Sequence, residues 1–116
     1  MIKRTFFYIL KLFRKKRKMG SNEPGKYIIY VDDNFHYMDE NERYTAAGFD
    51  NYQDAVKYCK DFVDKELLSM YKPGMTAERL YDDYTDFGED PYIRPRNDDE
   101  VYFSAWNYAK EKSKEI

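Results

Sequence analysis

From Tyr52 to Tyr71 the chain reads YQDAVKYCKDFVDKELLSMY, and its apolar residues Tyr52, Ala55, Val56, Cys59, Phe62, Val63, Leu67 and Met70 recur at steps of three and four. That spacing draws one stripe along an α-helix, with Lys57, Lys60, Asp61, Asp64 and Lys65 mostly on the other side. A stripe of this length must be buried, so other segments of the chain have to cover it. Asp50 or Asn51 is a good N-cap, and Gln53 stands three residues after Asp50 as in a capping box. Pro73 and Gly74 end the helix in a tight turn.

Thr76 then caps a second helix carrying Leu80, Tyr84 and Phe87 along one side, and Gly88 closes it. Ser104 caps a last helix in which Ala105, Tyr108 and Ala109 pack inward, with Phe103 and Trp106 as core anchors; its Lys-rich end suits the C-terminal dipole. Upstream, YIIYV at residues 27–31 is β-branched and aromatic and reads as a strand between Gly25 and the pair Asp32, Asp33. A second strand covers Arg43 to Phe49. Residues 32–42 then form a long, partly packed hairpin loop, or else Phe35 and Tyr37 extend a strand, their spacing of two placing both on one face. The segment EDPYIRPRNDDE, with two prolines, is a loop with at most a short edge strand at Tyr92 and Ile93. The predicted class is α+β: a small antiparallel sheet, a β-hairpin, packed against about three helices in the order β-β-α-α-α.

A chain of 116 residues has room for one domain. Its formal charge of -2 hides a division, because residues 1–18 hold eight Lys or Arg and no acid, while residues 19–116 hold the other 12 basic residues and all 22 acids. The linker Gly20–Gly25 marks the boundary, giving a basic N-terminal arm and linker over 1–25 and a single acidic domain over 26–116. As a helix the arm would place Phe6, Ile9, Leu10 and Phe13 on one face beside a basic tract, the pattern of a peripheral membrane anchor. A disordered extension and a start at Met19 are the alternatives. The apolar run is far short of the roughly 20 residues a membrane span needs, and no small-residue cleavage site follows it. A cytoplasmic setting is expected, with peripheral membrane contact through residues 1–18. Nucleic acid ranks last among partners, since the acidic body would repel phosphate.

The stretch DDNFHYMDE, residues 32–40, gathers four carboxylates around His36, the chain's one histidine. His36 with Asp32, Asp33, Asp39 and Glu40 could ligate a divalent ion or act as an oriented general base. Against that, there is no second histidine to complete the usual zinc sets, and the spacing does not match a calcium loop. The favoured reading is a turn made by Asp32, Asp33 and Asn34, with no metal and no cofactor. If catalysis occurs, His36 is the residue that titrates near neutrality. Cys59 lies on the helical stripe and reads as a small buried hydrophobe; as the single cysteine it forms no internal disulfide. No serine sits in a nucleophile elbow and no phosphate-binding glycine loop occurs.

Asp82, Asp83, Asp86, Glu89 and Asp90 cluster around Tyr81, Tyr84 and Phe87, presenting negative charge beside aromatic surface at a helix end. Of these, Asp82, Asp83, Asp86, Tyr81 and Tyr84 are the candidate binding residues for a basic partner, unless the acids are simply solvated. The phrases VDDNFHYMDENERY, CKDFVD, YKPGMTAERLYDDYTDFGEDPYI and FSAWNYA together resemble a family of small bacterial proteins of uncharacterised activity, over roughly residues 27–110. That resemblance implies no activity, cofactor or partner. The expected function is a small non-catalytic protein-binding or regulatory module with an acidic and aromatic surface. The alternative is a small enzyme or metal-binding protein that uses the Asp32–Glu40 loop with His36.

Overall fold

A computed structural model describes residues 25–36, 42–96, 100 and 102–116. The basic arm, and Tyr37, Met38, Asp39 and Glu40 of the acidic stretch, lie outside the described residues. In chain order the elements are β1 (Tyr27–Asp33), a 3-10 turn (Asn34–His36), β2 (Tyr44–Phe49), α1 (Tyr52–Met70), α2 (Ala77–Phe87), β3 (Glu89–Arg94) and α3 (Ala105–Ser113).

The three N-caps follow from short polar side chains that meet unsatisfied backbone N–H groups at each helix start. Asn51, rather than Asp50, caps α1, its Oδ1 accepting from the N–H groups of Gln53 at 2.8 Å and Asp54 at 3.2 Å. Thr76 accepts from Arg79 N–H at 3.1 Å, and Ser104 from Asn107 N–H at 3.3 Å. Gly74 has a φ of +87° in the turn between α1 and α2, a conformation that L side chains rarely adopt.

The sequence reading is corrected at residues 89–94. These form a full strand where the sequence reads as a loop with at most a short edge strand at Tyr92 and Ile93, so the α+β fold has the order β-β-α-α-β-α and its sheet has three antiparallel strands in the order β2-β1-β3. β3 pairs with β1 from Ile28 opposite Arg94 to Asp33 opposite Glu89. Pro91 is tolerated because β3 is an edge strand, where a missing N–H need not break a ladder on both sides. On the other side of β1, Ile29 faces Ala47 while Tyr30 faces Thr45, so Ala46 is the extra residue of a bulge.

Alternation along the strands decides which side chains meet the helices. Tyr27, Ile29 and Val31 of β1 and Ile93 of β3 are buried with Ala55, Cys59, Val63 and Leu67 of α1, Leu80 and Tyr84 of α2, and Ala109 of α3. The predicted stripe on α1 is therefore the core face. Phe103 joins that core, but Trp106 does not anchor it and is 39% exposed; Phe87, expected inward on α2, is 38% exposed. Gly88 allows α2 to turn directly into β3. A Cβ there would lie 2.6 Å from a ring carbon of Tyr84 and 2.8 Å from its carbonyl oxygen.

Candidate binding cleft

Because β3 runs antiparallel to the end of β1, it sorts the acids of this corner onto two sides of the sheet. Asp33 and Glu89 are opposite one another and buried; Asp32 and Asp90 are opposite one another on the outer side. Glu89 is 1% exposed and sits above Glu66 of α1, which is 2% exposed. The backbone N–H of Glu89 donates to Glu66 Oε1 at 2.9 Å, and the Tyr44 hydroxyl donates to Glu89 Oε1 at 2.7 Å. Tyr84 donates its hydroxyl to the Glu89 carbonyl oxygen at 2.8 Å. Asn34 donates through Nδ2 to the carbonyl oxygen of Tyr84 and to Asp90 Oδ1, both at 3.1 Å. The indole N–H of Trp106 donates to Asp90 Oδ2. These donors offset the cost of taking carboxylates out of water. Burial nevertheless pushes the Asp90 carboxyl up to about 6, against the hydrogen bonds from Tyr84, Asn34 and Trp106, with Asp32 adding to the rise.

Of the candidates in the acidic stretch the described residues include the side chains of Asp32 and Asp33, and these two do not come together. Asp32 and Asp33 are successive residues of β1 and face opposite sides. Asp32 accepts from Arg43, at 2.6 Å from Nε and 3.3 Å from Nη2, while Asp33 Oδ1 accepts from the Phe35 N–H at 2.9 Å. The backbone of His36 ends the 3-10 turn, but its side chain, like Asp39 and Glu40, is outside the described part. Among the described residues no group of three or more His, Cys, Asp or Glu is placed to hold a metal ion. The α2 candidates also separate. Asp82 and Asp86 are exposed, Asp83 pairs with Arg79 one turn earlier at 3.2 Å, and Tyr81 is partly buried. Tyr84 is corrected from surface to core: at 0% exposed it lies one turn after Leu80 on the apolar side of α2, its hydroxyl satisfied internally. Cys59 is buried as expected, and burial pushes its thiol up to about 12.

What the sequence reading missed is a cleft of about 800 Å³ between the outer side of β3 and the segment that leads into α3. Tyr30 and Tyr92 stand side by side on adjacent strands with ring centroids 5.8 Å apart. The guanidinium of Arg94 lies 4.8 Å above the Tyr92 ring, and that of Arg43 lies 5.8 Å from it. Across the cleft Tyr102 and Trp106 form the other wall, and Arg96 stacks on Tyr102 at 4.5 Å. Arg43 is matched by Asp32. Arg94 donates Nη1 to the Ile93 carbonyl oxygen at 2.8 Å, and among the described residues neither Arg94 nor Arg96 forms an ion pair with a carboxylate. The Tyr92 hydroxyl is pushed up to about 12 by burial and by Asp32, with Arg43 and Arg94 opposing. The signal in sequence was the alternation Asp90, Tyr92, Arg94, which places three polar residues on one side of a strand.

Guanidinium groups on aromatic faces and a bank of rings make a recognition surface. Comparison with protein-family models, curated proteins and solved structures finds no match for this chain, so the reading of the cleft rests on its geometry.

Proposed function

We propose that the protein is a small non-catalytic binding module whose binding site is the cleft between β3 and the start of α3. The observation that carries this reading is the stacking of Arg94 on Tyr92 and of Arg96 on Tyr102, with no carboxylate among the described residues paired to either arginine, beside a cavity of about 800 Å³. Small-molecule sites fall in the range of about 300–1,000 Å³ and combine apolar or aromatic walls with a few placed polar groups. Here Tyr30, Tyr92 and Arg94 stand on strands and Trp106 at a helix start, so little ordering of these groups remains to be done on binding, while Arg96 and Tyr102 lie in the segment between β3 and α3. The test is a screen of small aromatic compounds against the isotopically labelled protein by amide chemical-shift mapping. Shifts confined to Tyr30, Tyr92, Arg94 and Trp106 support the cleft; a screen in which those resonances stay still counts against it.

A second reading keeps the acidic and aromatic surface as a docking site for a basic, apolar protein segment. Phe35 and Phe87 favour it, being 58% and 38% exposed with ring centroids 5.6 Å apart, beside the exposed Asp86 and Asp82. Shifts grouped there would support this surface instead. In either case the eight basic residues of the arm would hold the module at an anionic membrane surface in a cytoplasmic setting. An enzymatic role for His36 would require that a His36→Ala variant stay folded and lose a measured turnover.

A further inference from the structure

Resting on the reading of the cleft as a binding site, we infer that its ligand is a small planar anion: an aromatic ring system carrying a single acidic group. Along the outer side of β3 the order is Asp90, Tyr92, Arg94, so the cleft has an acidic end, an aromatic middle and a basic end. At about 3.4 Å per residue the backbone positions of Asp90 and Arg94 are about 14 Å apart, and because the Arg94 guanidinium folds back over Tyr92 the space between the charged groups is shorter and suits one or two fused rings with a substituent.

At the basic end, Arg94 lies with its guanidinium 4.8 Å from the Tyr92 centroid, and one of its N–H groups is used by the Ile93 carbonyl oxygen. Stacking occupies the face of a guanidinium and leaves its remaining in-plane N–H donors to meet a carboxylate, sulfonate or phosphate oxygen. Arg96, stacked on the lining residue Tyr102, adds a second cation that forms no ion pair with a carboxylate among the described residues. In the middle, the Tyr30 and Tyr92 rings and the 39% exposed Trp106 offer surfaces for a flat apolar body.

The acidic end fixes the direction of entry. Asp90 faces Asp32 across β3 and β1, and since the charge of Asp32 is matched by Arg43 it is Asp90 that disfavours an anionic group there and leaves Arg94 to receive it. The same feature limits the ligand's charge. Residues 19–116 carry 22 acids against 12 basic residues, and a polyanion reaching beyond the arginines would meet that field, whereas one anionic group held at Arg94 need not.

Trp106 is the only tryptophan in the chain and lines the cleft, which gives a built-in reporter. The full-length protein is titrated near neutral pH with 1-anilinonaphthalene-8-sulfonate and, separately, with N-phenyl-1-naphthylamine, the same ring system without the sulfonate. Energy transfer from Trp106 to the probe is read in both. The expected result is transfer to both probes, with the sulfonate bound more tightly. Arg94→Gln should weaken the sulfonate by about tenfold or more, as loss of a charge-assisted hydrogen-bonded pair does, and leave the neutral amine unchanged. Lys72→Gln, in the turn after α1 and lining no part of this cleft, should alter neither. Folding of each variant is checked by urea unfolding. If both probes bind equally and Arg94→Gln changes neither, the cleft accepts rings but does not select an anion, and this inference fails while the binding-site reading stands. If neither probe takes energy from Trp106, the reading and the inference fall together.

Discussion

Asp90 ties the sheet to α3, and replacing it by Asn makes a prediction whose sign and size follow from the structure. Burial raises its carboxyl from 3.8 to about 6, outweighing the hydrogen bonds from Tyr84, Asn34 and Trp106, and Asp32 adds to the rise. An acid that holds its proton more tightly folded than unfolded contributes stability that is fully present below its unfolded pKa of about 3.9 and is lost as pH rises through about 6. A displacement of about 2 on the pH scale, at about 1.36 kcal/mol each, is worth up to about 3 kcal/mol. Most of that loss falls between about pH 4 and pH 7. The Asn side chain does not titrate. Its oxygen can accept from Trp106 or from Asn34 but not from both, and the NH2 then faces the other donor, a cost of about 1.5–3 kcal/mol. Near pH 7 the two effects nearly cancel. The informative quantity is therefore the difference in unfolding free energy between Asp90→Asn and the parent as pH changes, in which the other acids drop out. It should move by roughly 2–3 kcal/mol in favour of the variant between about pH 4 and pH 7. Urea unfolding at several pH values, followed by far-UV circular dichroism, measures it. A difference that stays flat to within about 0.5 kcal/mol, or that moves the other way, would refute the reasoning.

Tyr44→Phe removes the 2.7 Å hydrogen bond to Glu89 Oε1 and should cost about 1.5–3 kcal/mol in urea unfolding; an unchanged midpoint would show that Glu89 is satisfied without it. Gly88→Ala places a Cβ 2.8 Å from the Tyr84 carbonyl oxygen and should lose about 1–3 kcal/mol through overpacking, whereas a stability equal to the parent's would show that the α2–β3 corner yields freely. Cys59, wholly buried with its thiol pushed up to about 12, should react with a disulfide reagent only after denaturation; prompt labelling of the folded chain would contradict its place in the core.

The helices were legible because their signals are local. The stripe on α1, the turn at Pro73 and Gly74, and the caps Thr76 and Ser104 each lie within a few residues of the feature they specify. Glu66 shows where this stops. It follows Val63 by three residues on the buried side, yet its charge marks it as solvated, and what allows its burial is the amide of Glu89, distant in sequence. β3 was legible only as a short edge strand at Tyr92 and Ile93, for a related reason. Pro91 within it and Pro95 just after it argue against a strand, and its real support is pairing with β1 far upstream. Trp106 read as core on apolarity alone, but its indole N–H meets an acceptor at Asp90, and that holds the ring at the surface. The cleft draws on Tyr30 from β1, Arg43 beside β2, Tyr92 and Arg94 from β3, and Trp106 from α3, a combination no single stretch announces.

The two borders of the sheet are unequal. β3 carries Pro91, which withholds one backbone donor from any newcomer, whereas β2 reads YTAAGF, with neither a proline nor a charge. Among the described residues nothing pairs with the far side of β2, and the bulge at Ala46 is the one irregularity that disturbs its ladder. Of the two borders it is therefore β2, along residues 45–48, that has the fewer features by which a sheet edge discourages the addition of an extended segment, and a lysine placed there would supply one.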